Sequence, residues 1–150
     1  MVGSELKETT VKLGKNALMI DEFLKREIEA GKINREAFKT EERKIKLHGH
    51  CQQKAVASTD PTKFLLSFPE NYSVEEIPSG CCGMAGSFGY EKEHYDVSMK
   101  IGEMVLFPAV RKAENNVLIA APGTSCRHQI KDGTGKTALH PVEILYEALK

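Results

Sequence analysis

The residues able to do chemistry in this 150-residue chain are its four cysteines, Cys51, Cys81, Cys82 and Cys126, and the histidines beside them. Two thiols stand side by side in "SGCCGMAGSFGY", Ser79 to Tyr90, between glycines. On an extended backbone neighbouring side chains point to opposite faces, so both reach one small tetrahedral ion only if the chain bends sharply. A multinuclear iron–sulfur cluster is larger, prefers thiolates and accepts ligands at separate irons. The pair therefore leans toward a cluster. Zinc stays open, because a set of four Cys and His is its usual shell. So do a plain buried pair and a vicinal disulfide. Long gaps separate Cys51 from Cys81 and Cys82 from Cys126, and there is no CxxC motif. That spacing fits ligands on separate loops of a large fold, not a small metal-nucleated knuckle.

Those loops need elements to position them. Four segments read as strands: "KIKLHG" at 44–49, "SVEEIPS" at 73–79, "NVLIAAP" at 116–122 and "TALH" at 137–140. The third is a continuous apolar run, as expected of a strand buried on both faces of a parallel sheet. Helical patterns fall at about 4–30, 51–58, 61–68, 91–113 and 141–149. Gly14 is a candidate break in the first, and Pro108 in the fourth. Pro141 sits at a first-turn position of the last, where proline is favoured. The alternation predicts an α/β fold: a mostly parallel sheet of about four strands flanked by helices in a single layered domain. Residues 1–43 read as an N-terminal helical segment and 44–150 as the α/β domain. A doubly wound domain usually starts on a strand, so the helix-first order suggests a piece of a larger protein.

On this map every cysteine follows the carboxyl end of an expected strand, the edge at which open α/β sheets bind ligands. His50 and His128, beside cysteines, and His140, at the last strand end, are further candidate metal ligands. A histidine beside a ligand can instead orient it through a hydrogen bond. His48 reads as a packing or capping residue, and His94 as a solvent-facing one.

Lys plus Arg and Asp plus Glu both number 21, giving zero net charge. With no basic patch, nucleic acid is not an expected partner. No apolar run approaches the ~18 residues of a membrane span, and no signal peptide is evident. Cysteines without a secretory context point to a reducing compartment, hence a cytoplasmic or membrane-peripheral location. "GMAGSFG" is not the dinucleotide fingerprint. "DGTGKT" fails as a P-loop because Ile130 stands where the first glycine is required. The glycines suit a backbone that wraps a cluster with its N–H groups aimed at sulfur.

"HGHCQQKA", "SGCCGMAGSFGYEKEHYDVSMKIGE" and "APGTSCRHQI…TALHPVEIL" closely resemble the cysteine-rich CCG domain, over about Lys44 to Leu149. That domain recurs in heterodisulfide reductase, in the iron–sulfur component of glycolate oxidase and in lactate-utilisation proteins. The version here looks most like the C-terminal domain of large FAD-linked dehydrogenases of the D-lactate or D-2-hydroxyglutarate type. The resemblance implies an iron–sulfur electron-transfer domain, held by Cys51, Cys81, Cys82 and Cys126. Flavin and ferredoxin-like domains of the same parent chain are the implied partners, with FAD bound only there. The isolated domain would not act on the hydroxy acid, no residue here takes a catalytic role, and exposed apolar surface would favour a homodimer. One departure stands out: the family's final CxxC reads "CRH" followed by Gln129, so a fifth thiolate is missing. His128 and His140 are candidates to replace it. The alternatives are a structural or interaction domain with zinc or no metal, and a thiol-redox module using the Cys81–Cys82 pair.

Overall fold

The computed structural model describes residues 6–150. Four strands, β1 (Arg43–Leu47), β2 (Tyr72–Glu76), β3 (Val117–Ala120) and β4 (Ala138–Leu139), form one sheet in the order β2-β1-β3-β4. Every pairing is parallel, with Ile45 opposite Val74 and Leu118, and Ala120 opposite Leu139. This is the α/β architecture expected of the sequence. The ladder runs slightly past the strands: Ile77 donates to the Leu47 carbonyl, and His48 to that of Ala120, both at 2.8 Å.

Helices cover both faces. One side carries α5 (Tyr95–Met104), α6 (Leu106–Lys112) and α7 (Thr124–Thr134). Their apolar residues Leu106, Phe107, Val110 and Ile130 pack on Ile77 and Ile119. The other side carries α4 (Asp60–Leu66) and α8 (Pro141–Glu147), whose Leu66 and Ile144 meet Ile45, Leu47 and Ala120. The short α3 (Cys51–Val56) links β1 to α4. Outside α4 lies α2 (Ile20–Glu29), whose Leu24 and Ile28 pack on a cluster of Phe38, Leu65, Phe68, Leu145 and Ala148. Buried Asp21 anchors that helix by accepting hydrogen bonds from Gln53 and Thr62. By contrast α1 (Lys7–Asn16) buries no residue.

Two helix breaks and one whole helix depart from the sequence expectation. The first helical stretch breaks at 17–19, not at Gly14, because the Glu22 carboxylate caps the Met19 N–H at 2.8 Å and starts α2 afresh. Residues 4 and 5 of that expected helix lie outside the described residues. The 91–113 stretch breaks at Val105, three residues before Pro108. Proline has no N–H for the Met104 carbonyl and its ring crowds that group, so α5 stops at Met104. Pro108 then sits in the first turn of α6, where no donor is needed. Helix α7 has no counterpart in the sequence expectation: among its buried residues only Cys126 and Ile130 are apolar.

Phe107 locks the α5–α7 side. A Cβ added to Gly102 or to Gly133 would lie 2.3 Å from its ring, so the ring rests directly on the backbones of α5 and α7. Phe107→Ala should cost about 3–5 kcal/mol, a fall in melting temperature of about 6–20 °C for a chain this long, measurable by thermal denaturation.

Candidate metal centre

The strand order places the topological switch point between β1 and β3, whose onward chains leave in opposite directions. Cys51 opens α3 directly after β1, and Cys126 lies in the first turn of α7 after β3. The loop after β2 brings Cys81 and Cys82 to the same edge. All four thiols are free. Cys82 and Cys126 are buried within the α5–α7 core, whereas Cys51 and Cys81 are half-buried.

The sulfurs of Cys82 and Cys126 and a ring nitrogen of His48 all lie within 4.8 Å of one another. The sequence suggests packing or capping for His48, yet it stands inside the thiol group. Its backbone continues the β1 ladder, and strand alternation turns its ring away from the face that Leu47 fills. Nδ1 lies 2.7 Å from the Ser79 hydroxyl. Among the described residues, Nε2 has no hydrogen-bond partner although the ring is fully buried. The signal available in the sequence is that single step past Leu47, but only the β1–β3 register turns it into a direction.

Backbone N–H groups face the thiols. Gly83 donates to the Cys81 sulfur at 3.2 Å, and the Met84 and Gln52 amides favour the charged forms of Cys82 and Cys51. The loop that makes this possible is tightly wound, with left-handed φ at Gly83 (104°), Ala85 (41°) and Gly86 (73°). A Cβ on Gly83 would lie 2.2 Å from the Ser98 carbonyl oxygen. Gln129, where the resemblance leads one to expect a further thiolate, is buried, and its amide donates to that same carbonyl at 3.2 Å and to the Ser98 hydroxyl at 2.8 Å. It braces the loop from below.

The remaining expected ligands fall around this group. The His50 ring and the Cys126 sulfur both lie against Gly123. His128 is exposed, with Nδ1 3.0 Å from the Tyr90 hydroxyl. His140 caps α8: its Nδ1 accepts from Val142 at 3.2 Å while the Glu143 carboxylate takes the His140 N–H at 2.6 Å. Arg127 turns inward, donating to the Ala121 and Pro122 carbonyls at 3.0 and 2.9 Å.

The electrostatics single out Cys82. Its pKa is pulled down to about 4, first by a hydrogen bond from the Cys126 thiol, against the cost of burial, and further by the nearby His48 ring and the Met84 N–H. Cys126 moves the opposite way, raised by that same bond to Cys82 and by burial. Burial also raises Cys51, followed by the neighbouring Cys81 thiol. The contact between the two thiols thus favours the thiolate on Cys82 and the thiol on Cys126. The donor set suits a thiolate-bound metal or cluster: clustered sulfurs, one bare imidazole nitrogen, and amides that stabilise negative charge on sulfur.

Comparison with curated proteins sets the chain beside segments of larger dehydrogenases. It is 33% identical over 103 residues to the D-2-hydroxyglutarate dehydrogenase of Escherichia coli (strain K12), covering 68% of this chain and 10% of that protein. The enzyme of the same name in Pantoea ananatis is 29% identical over 135 residues, covering 89% of this chain and 13% of its own length. A component of the anaerobic glycerol-3-phosphate dehydrogenase of Escherichia coli (strain K12) is 31% identical over 108 residues, covering 71% of this chain and 26% of that component. The chain is similar to a part of each of them. No family model matches it, and no solved structure does.

Two outcomes follow for the metal-free protein. Between pH about 4 and the ordinary cysteine value of about 8.5, the unfolded chain holds a proton on Cys82 that the folded chain lacks, so stability should rise with pH. Above that value folded Cys126 keeps a proton that the unfolded chain loses, and stability should fall. Denaturant unfolding in chelator across this range should show the maximum, and Cys82→Ser should flatten the rise. Gly83→Ala, strained at its φ and blocked by the Ser98 carbonyl, should destabilise by about 3 kcal/mol or more in the same assay.

Proposed function

We propose that this chain is an iron–sulfur electron-transfer domain of a larger FAD-linked dehydrogenase that oxidises a small 2-hydroxy acid. The observation that carries the reading is the meeting of four thiols from three strand ends at one edge, two of them buried with an imidazole. Similarity to segments of D-2-hydroxyglutarate dehydrogenases and of a glycerol-3-phosphate dehydrogenase component supports a place within, or beside, a redox enzyme. The chain spans about a tenth of the former and about a quarter of the latter.

In this reading Cys51, Cys81, Cys82 and Cys126 hold the group. The cluster, when bound, supplies single-electron transfer between the flavin of the parent enzyme and an acceptor. The N–H groups of Gln52, Gly83 and Met84 stabilise charge on the coordinating sulfurs, which favours the reduced state. The apolar residues around Cys82 and Cys126 keep water from that side. Substrate and FAD bind elsewhere in the parent. Among the described residues no helix is long and apolar enough to cross a membrane.

A second reading, a structural domain holding zinc, draws on the compact His48–Cys82–Cys126 trio, which matches a Cys and His zinc shell. Metal and acid-labile sulfide analysis of protein purified without oxygen separates the two. Iron with sulfide and visible absorbance is expected, with both lost in a Cys81→Ser, Cys82→Ser double variant. Zinc alone, or no metal after anaerobic reconstitution, would overturn the electron-transfer reading.

A further inference from the structure

The four-thiol reading leaves His48 without a task. Its ring is fully buried, its Nε2 has no partner among the described residues, and that nitrogen belongs to the same tight group as the Cys82 and Cys126 sulfurs. A buried polar atom of this kind is costly unless something is meant to meet it. The other ring nitrogen faces the Ser79 hydroxyl at 2.7 Å, and that hydroxyl also lies 3.4 Å from the Ile77 carbonyl. With Ser79 donating to Ile77 and accepting from Nδ1–H, Nε2 carries a lone pair. This is the arrangement of metal-binding histidines, whose second N–H is held by the protein so that the first nitrogen is free.

Gln129 spends its amide on Ser98, His128 meets Tyr90 through Nδ1 and His140 caps α8. His50, whose ring lies against Gly123 beside the Cys126 sulfur, falls outside the trio. We propose that His48 Nε2 is a ligand of the metal centre beside Cys82 and Cys126, and that Ser79 sets its tautomer. The inference rests on these thiols being a metal site, and not on which metal fills it. On binding, the Nε2 lone pair forms the metal–nitrogen bond with no ring proton to lose, and any proton on the two sulfurs passes to solvent. A neutral imidazole in place of a thiolate lowers the negative charge of the centre, which for an iron–sulfur cluster raises its potential.

The test uses the whole chain labelled with ¹⁵N-histidine. After anaerobic reconstitution with iron and sulfide, pulsed electron paramagnetic resonance should show one strongly coupled histidine nitrogen. The coupling should vanish in His48→Gln and persist in His50→Gln, His128→Gln and His140→Gln. Cobalt(II) added to metal-free protein, with no sulfide, gives an independent reading. A paramagnetically shifted ring N–H resonance should appear, and Ser79→Ala should weaken cobalt binding about tenfold while retaining histidine ligation. A cobalt-bound His48 without iron–sulfide uptake would sustain this inference and remove the cluster reading. No histidine coupling with either metal would overturn the inference. So would coupling that survives in folded His48→Gln, or that disappears in one of the other three variants. Should His48→Gln fail to fold, the wild-type spectrum and those three variants still decide.

Discussion

Everything at the carboxyl edge depends on burying two thiols and an imidazole inside an apolar core. Cys82 and Cys126 share their surroundings with Leu106, Phe107, Val110 and Ile130. A polar group in such a place is costly unless it is satisfied, so the chain around it has little freedom. The Cys82 thiolate is favoured by the Cys126 thiol, by the neighbouring His48 ring and by the Met84 N–H. Ser98 receives the Gln129 amide on its carbonyl and hydroxyl, and that carbonyl leaves no room for a side chain at Gly83. The left-handed turn after the paired cysteines is held from three elements at once.

Topology supplies the convergence that the spacing of the cysteines conceals. Residues far apart in the chain meet because β1 and β3 are neighbours in the sheet and their onward chains part above it. Cys51 and Cys126 begin those two departures, and β2 delivers the adjacent pair from the side. Placing half of the thiols inside and half at the rim gives the group one dry side and one side open to exchange. The N–H groups on three sulfurs come from the turns that start α3 and follow the paired cysteines, so ligand positions and their electrostatic support share one stretch of backbone.

Much of this is legible in the sequence, for reasons tied to particular residues. The apolar run Val117–Ala121 and the alternating Ile45 and Leu47 mark the central strands. The cysteines mark their ends, and Pro141 marks the start of α8. Helix α7 is hidden because Thr124, Ser125, Arg127, His128 and Gln129 dilute its apolar period, and its buried face is partly the polar Gln129. His48 escapes a sequence reading because a residue one step past a strand has no direction until its neighbour strand is known. His140 stands balanced between ligand and structural roles in the sequence, and the capping pair with Glu143 accounts for its place at the start of α8.

The exposed helix α1 gives the molecule two scales of stability. Its ten residues bury nothing, and its side-chain hydrogen bonds run from Thr10 and Asn16 to carbonyls of its own or the preceding turn. Isolated helices shorter than about 12–15 residues are marginal in water. The backbone amides of α1 therefore exchange with solvent through local fraying, uncoupled from the cooperative opening that frees the amides of β1 and β3. A protease meeting this chain would find its first opening there, with the sheet and the thiol group still closed.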